Sequence, residues 1–308
     1  MRYASQARRR GGRPALMRRT ADSVVRRTIA LAGIAAIVVL GAIFVFLAIN
    51  AARAFREVGL LSMVFGTDWF PTSENAKFGF LPAIAGSLWV TAVALVVCVP
   101  VGISAAIYIS EFAGRRAKEF IKSVIEFMAA VPSVVLGLLG LTLVVPRVRV
   151  WFGLDTGLTA LTAGIIVGIM ALPTIVSIAE DAMHAVPLDL RTGSLALGNT
   201  RWQTICKVVL PAASSGIFAA VMLGIGRAIG ETMVVLMLAG NSGIIPGDPF
   251  TSARTMPGTI AGEMAEVVQG GLHYSVLFAM ALVLFSMTFA MNLAADIVLE
   301  RQRKRWRR

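Results

Sequence analysis

This sequence predicts an all-α membrane protein with about six transmembrane helices and both termini in the cytoplasm, on three observations. Hydrophobic residues make up 57% of the 308-residue chain and charged residues 15%, with a mean hydropathy of +0.78, whereas soluble domains carry nearer 25% charge. Six runs are long and apolar enough to cross a bilayer. Lysine and arginine gather in alternate segments between those runs, as the positive-inside rule requires of cytoplasmic segments.

Nine arginines precede the first apolar run, and six basic residues follow Leu299. We expect basic cytoplasmic tails at residues 1–27 and 299–308, against anionic lipid headgroups. That placement beside the membrane argues against a nucleic-acid partner, which a net charge of +12 would otherwise suggest. The first helix is expected over residues 28–52, which reach roughly 30 Å at roughly 1.5 Å per residue, and it reads as a peripheral anchor. Residues 53–80 form an external loop with Trp69 as an interfacial aromatic anchor, and the second span covers Leu81 to Ser110. Arg115, Arg116, Lys118 and Lys122 place the next segment inside. The third span is expected from Ile125 to Pro146 and the fourth from Gly157 to Ala179, joined by a short external turn. Residues 180–211 are too polar to span and hold short interfacial helices. The fifth span runs from Pro211 to Ala239 and the sixth from His273 to Val298, so that residues 81–298 form one transmembrane domain. Pro100, Pro132 and Pro173 fall within spans, where kinks are expected.

Function classes fall away quickly. Cys98 and Cys206 have no pairing or metal spacing and read as packing residues. His184 and His273 sit in no triad or ligand pattern, and no phosphate-binding loop, nucleophile elbow or zinc motif is present. No catalytic residue, metal or cofactor is therefore expected in this chain, and any ATPase driving it must be another polypeptide. The chemistry concentrates in the fifth span, at Arg227, Glu231 and Thr232. A buried arginine at a helix centre costs roughly 2.5–3.5 kcal/mol on the mildest scale, so one that persists has a use. Four residues apart, Arg227 and Glu231 are expected on one helix face, partly neutralising each other. The guanidinium suits a tetrahedral oxyanion, while a purely architectural ion pair is the alternative reading. Gly164 and Gly168, and Gly226 and Gly230, have the spacing of close helix packing.

Thr192-Gly193-Ser194-Leu195-Ala196-Leu197-Gly198, nine further residues, then Val208-Val209-Leu210-Pro211 resembles the cytoplasmic loop shared by ABC importer permeases. Gly198, Leu210 and Pro211 match that pattern, and Thr192, Gly193 and Ser194 stand where it has Glu-Ala-Ala. Phe78-Gly79-Phe80-Leu81-Pro82, Ala130-Val131-Pro132-Ser133, Gly226-Arg227-Ala228-Ile229-Gly230-Glu231-Thr232, Arg254-Thr255-Met256 and His273-Tyr274-Ser275 narrow the resemblance to the phosphate-specific permeases of the PstC type. The resemblance implies an ABC importer type I permease fold in a bacterial plasma (inner) membrane, and half of a translocation path completed by a homologous second permease subunit. It implies two ATP-binding subunits that hold ATP and Mg, and an external phosphate-binding protein. Arg227, Glu231 and Thr232 would line the path or its gate. Thr192, Gly193, Ser194, Leu195, Ala196, Gly198, Leu210 and Pro211 would belong to the loop that couples to the ATPase. A permease for sulfate, molybdate or another oxyanion is the nearest alternative, with a secondary transporter or a membrane scaffold further away.

Overall fold

The computed structural model describes residues 15–306, with side chains for residues 25–298 and 300. The expected basic tails fall mostly outside the described side chains. Residues 1–49 and 50–308 form separate units. The first unit holds most of α1 (Ala15–Glu57), which exposes apolar side chains all round, Ile37 and Ile49 among them, as a helix solvated by lipid does.

In the second unit, α2 (Leu60–Phe65) leads to a two-stranded antiparallel hairpin, β1 (Trp69–Phe70) and β2 (Lys77–Phe78), with Trp69 opposite Phe78. Trp69 is 2% exposed and packs against the rings of Phe78, Phe80 and His273. Protein therefore covers it, and it is not the interfacial anchor that its sequence position suggests. Next, α3 (Leu81–Ile107) continues into a wider π-helical turn, Tyr108–Phe112. The helix α4 (Arg115–Ala130) turns one face, Ala117, Lys118, Ile121, Lys122, Ile125 and Met128, toward the protein. It ends where Val131 is extended ahead of Pro132, the conformation a following proline imposes. A continuous helical stretch follows: α5 (Ser133–Leu139), a π turn at Gly140–Val144 and α6 (Val145–Phe152). The third span is thus Ser133–Phe152, not Ile125–Pro146, and Pro132 separates two helices instead of kinking one.

The next helix, α7 (Ala160–His184), starts at a Thr159 cap that accepts a hydrogen bond from Thr162 N. It outlasts the expected fourth span, so Glu180 is part of a helix and only 3% exposed, not the start of a polar loop. There follow α8 (Leu188–Ala196), α9 (Arg201–Thr204), a π turn at Ile205–Val209 and α10 (Leu210–Ile229). The chain ends with α11 (Met233–Leu238), α12 (Met256–Glu263) and α13 (Leu272–Trp306). Among the described residues, six helical stretches are long and apolar enough to cross a membrane.

The core is α3 lying parallel to α7, with α10 antiparallel against α7. A Cβ on Gly164 would stand 2.6 Å from Val93 Cβ, and one on Gly168 2.9 Å from the Ala94 carbonyl oxygen. Those two glycines let the helices touch through their backbones. Val90, Ala94, Val167, Ala171, Ile175 and Ala179 fill the seam. Gly226 and Gly230 have no such role, because the nearest atom to a Cβ on Gly226 is Asn292 Oδ1, at 3.9 Å.

Candidate functional site

The apolar run that reads as one fifth span is broken. The helix α10 stops at Ile229, Gly230 takes the capping position, Glu231 and Thr232 are non-helical, and α11 begins at Met233. Arg227 and Glu231 therefore do not share a helix face, and among the described residues no ion pair joins them. Glu231 Oε1 instead accepts from Val234 N at 3.4 Å, turning the carboxylate toward the start of α11. Thr232 Oγ1 donates to the Gly230 carbonyl at 3.2 Å and stabilises the break. Arg227 is exposed within this chain, and its Nη1 donates to Thr174 Oγ1 at 3.3 Å, near the middle of α7. A guanidinium held by one long bond at that depth keeps most of its five donors for another group.

The stretch that resembles a coupling loop is built as a compact pair of short helices. Gly198, at φ +84°, closes α8, with Leu197 N donating to Gly193 O, Gly198 N to Leu195 O and Asn199 N to Ser194 O. Thr200 and Gln203 cap α9 reciprocally, side chain to backbone in both directions. Ser194 is buried and its Oγ lies 2.9 Å from Thr204 Oγ1, so this residue holds α8 to α9 and offers nothing outward. The outward face is Thr192, Gly193, Leu195, Ala196 and Leu197, with Leu188 and Trp202 beside it, and Leu197 is 86% exposed. Leu210 and Pro211 follow the π turn directly, within one continuous helical stretch from Arg201 to Ile229, and the widened turn precedes the proline, which has no N–H to donate. Cys206, expected as a packing residue, is exposed in the preceding π turn, while Cys98 is buried as expected.

Charged groups that the sequence did not pair meet at this end of the bundle. Glu180 accepts from Lys118 Nζ and Lys122 Nζ, each at 2.7 Å, and so fastens α4 to α7. The hydrogen bond from Lys122 to Glu180 holds that ammonium above the usual lysine range; burial acts the other way, and the charge of Glu180 adds to the rise. A raised lysine contributes fully at neutral pH and is lost only as pH climbs through that raised value. Glu111, in the π turn that ends α3, receives Arg191 Nη1 at 2.6 and 2.7 Å on its two oxygens.

At the other end of α7, a cavity of about 710 Å³ is lined in part by Trp69, Asn241, Arg254, Glu263, Glu266 and His273. Glu263 is its hub. Oε1 accepts from Trp69 Nε1 at 2.9 Å and pairs with Arg254, and Oε2 lies 2.9 Å from His273 Nε2. Arg254 Nη2 also donates to the Asn241 carbonyl at 2.9 Å. Glu263→Gln would leave Arg254, 17% exposed, without its counter-charge, a loss of about 1.4 kcal/mol for a partly buried, charge-assisted pair. We expect limited proteolysis of residues 240–271 to run about tenfold faster in that variant, because opening of this segment becomes easier. An unchanged rate would show that Glu263 does not hold the segment. Among the described residues, no cluster of three His, Cys, Asp or Glu side chains could hold a metal ion.

Among the described residues, helices long and apolar enough to cross a membrane, one of them ending at a break beside the exposed Arg227, define a multi-pass membrane protein. Comparison with known proteins agrees. Residues 98–308 match the family model described as binding-protein-dependent transport system inner membrane component. The probable ABC transporter permease protein YqgH of Bacillus subtilis is 40% identical over 250 residues, 80% of this chain and 81% of the relative. The phosphate transport system permease protein PstC of Mesorhizobium japonicum is 34% identical over 313 residues, 95% of this chain and 94% of the relative. Among solved structures, a bacterial alginate ABC transporter in complex with its pentasaccharide-bound periplasmic protein shares the fold at a TM-score of 0.61 and 16% identity, over 91% of this chain and 96% of that one. The chain belongs to the binding-protein-dependent transport system inner membrane components, the permease subunits of ABC importers, and is a multi-pass membrane protein.

Proposed function

We propose that this chain is the permease subunit of an ATP-driven phosphate importer, forming half of the translocation path beside a homologous second permease. Two ATP-binding subunits, which carry the ATP and Mg, meet the outward face of α8, and an external phosphate-binding protein meets the end that holds Glu263. Both termini are then cytoplasmic, residues 81–298 are the transmembrane domain, and the coupling segment is the part of residues 180–211 that follows α7, from Ala185 onward. The observation that carries this reading is Arg227, exposed beside a break in α10 and α11 at mid-depth with one long hydrogen bond. Its fork of donors fits a tetrahedral oxyanion, and Glu231 and Thr232 shape the break through which such an ion passes. The choice of phosphate over sulfate or molybdate rests on the relatives named as phosphate permeases.

The direct test is ATP-dependent uptake of radiolabelled phosphate, with sulfate and molybdate as competitors, by proteoliposomes holding the native complex. Uptake blocked equally by sulfate would reassign the substrate. The docking surface has its own test. Leu197→Asp puts a charge on the highly exposed apolar side chain that caps α8 in the turn before α9, and Gly198→Val forces a β-branched residue into a left-handed backbone. Each is expected to weaken co-purification of the ATPase about thirtyfold, the size of an interface hot spot. Normal yield with normal transport would remove α8 from the interface.

A further inference from the structure

The helix α8 is fastened to the bundle in two ways, and they differ in kind. Toward α9 and the following π turn it packs directly, and Ser194 reaches Thr204. Toward α3 it does not pack closely, because a cavity of about 300 Å³, lined by Ser110, Glu111, Arg191, Leu195, Arg201, Thr204 and Ile205, lies between them. Arg191 crosses that gap. Its Nη1 takes both oxygens of Glu111, at 2.6 and 2.7 Å, and its Nη2 donates to the Met183 carbonyl at 2.6 Å. One guanidinium thereby holds the end of α3 and the end of α7 together. The pair is half-sheltered, at 18% and 11% exposure, so salt screens it less than a surface pair. Its planar fork resists both pushing and pulling in a way that a sliding apolar contact does not.

Building on the reading that α8 meets the ATPase, we propose that Arg191 and Glu111 are positioning residues that transmit displacement of α8 to the transport path. From Met183 the helix α7 runs unbroken to Thr174, which holds Arg227. The line from α8 runs through the Arg191 guanidinium to the Met183 carbonyl and along one continuous helix to Arg227, and the same guanidinium ties in α3 through Glu111. Glu111 lies in a π-helical turn, the kind of local widening that recurs at functional positions. A second fastening of α8, through Ser194, Asn199 and Thr204, keeps it attached when the charged joint is cut. Cutting the joint should therefore separate ATP hydrolysis from transport without freeing the ATPase.

The complete transporter, with both permeases, both ATPase subunits and the binding protein, would be reconstituted in proteoliposomes, and phosphate taken up per ATP hydrolysed would be measured. Arg191→Gln and Glu111→Gln are each expected to lower that ratio about tenfold, a coupling effect of ordinary size, with the ATPase still co-purifying. Arg191→Lys, which keeps the charge and loses the fork, should fall between. The exchanged pair, Glu111→Arg with Arg191→Glu, should recover the part of the ratio carried through α3, since it rebuilds that ion pair and not the bond to the Met183 carbonyl, and a purely structural loss in the single variants would not allow that recovery. An unchanged ratio in the single variants, or no recovery in the exchanged pair, overturns the proposal. So does loss of the ATPase from the single variants, since the pair would then serve assembly alone. Failure of the unaltered complex to take up phosphate would instead overturn the substrate reading and leave the link open to test with the true substrate.

Discussion

Arg227→Ala is expected to lower ATP-driven phosphate uptake about a hundredfold relative to the unaltered complex, as for truncating a charged hydrogen-bonding anchor. The argument begins with what the alanine removes. Arg227 has one intrachain bond, to Thr174 Oγ1, and makes no ion pair among the described residues. Its removal thus disturbs little of the fold and takes the positive charge away from the break between α10 and α11. Arg227→Lys keeps the charge but presents a point instead of a fork, and about a tenfold loss is expected. Glu231→Gln should be milder again, because an amide oxygen can still accept the bond from Val234 N. Binding-protein stimulation of ATP hydrolysis, measured alongside, establishes that each variant complex is assembled. Uptake by the alanine variant within twofold of normal would show that the anion does not need Arg227.

How much of this was legible in the sequence follows from how local each feature is. Apolar runs report the spans, because a bilayer tests each segment separately; four of the six expected spans coincide in outline with the helices, the third being displaced and the fifth broken. The third was displaced because Val131-Pro132 divides an amphipathic helix from a membrane helix, and hydropathy does not register that division. The α8–α9 pair was legible through one spacing, Gly198 to Pro211, of which the left-handed cap at Gly198 is a local requirement. The break after Ile229 was missed although its signals were present: a glycine at the stop and a threonine before the restart are the expected punctuation of two helices. The apolar run continuing to Ala239 concealed them. Long-range charge pairs leave no such trace. Nothing near Trp69 announces Glu263, and nothing near Glu111 announces Arg191, because these partners lie 194 and 80 residues apart and only the folded chain joins them.

The parts of the strongest stability prediction are likewise far apart in sequence and joined only by the fold. Glu180 is 3% exposed and accepts two ammonium groups from α4. Removing one partner of a buried pair costs about 3–5 kcal/mol, mostly because the remaining charge is left without compensation. Here the remaining charges are Lys118 and Lys122, whose side chains are 30% and 43% exposed, and such long side chains can swing their ammonium groups into water. That escape places Glu180→Gln at the low end, about 3 kcal/mol, made up chiefly of two charge-assisted bonds and the loosened seat of α4. The expected result is a clearly lowered midpoint of thermal denaturation for the detergent-solubilised protein. Replacing all three together, Glu180→Leu with Lys118→Met and Lys122→Met, should restore most of the loss, because an apolar cluster of similar volume leaves no charge to solvate. If the triple variant were as unstable as Glu180→Gln, the ion cluster would be supplying the orientation of α4 and not merely balancing its own charge. Loss of transport in a stable triple variant would then show that α4 must be held by charge for the helices it touches to move.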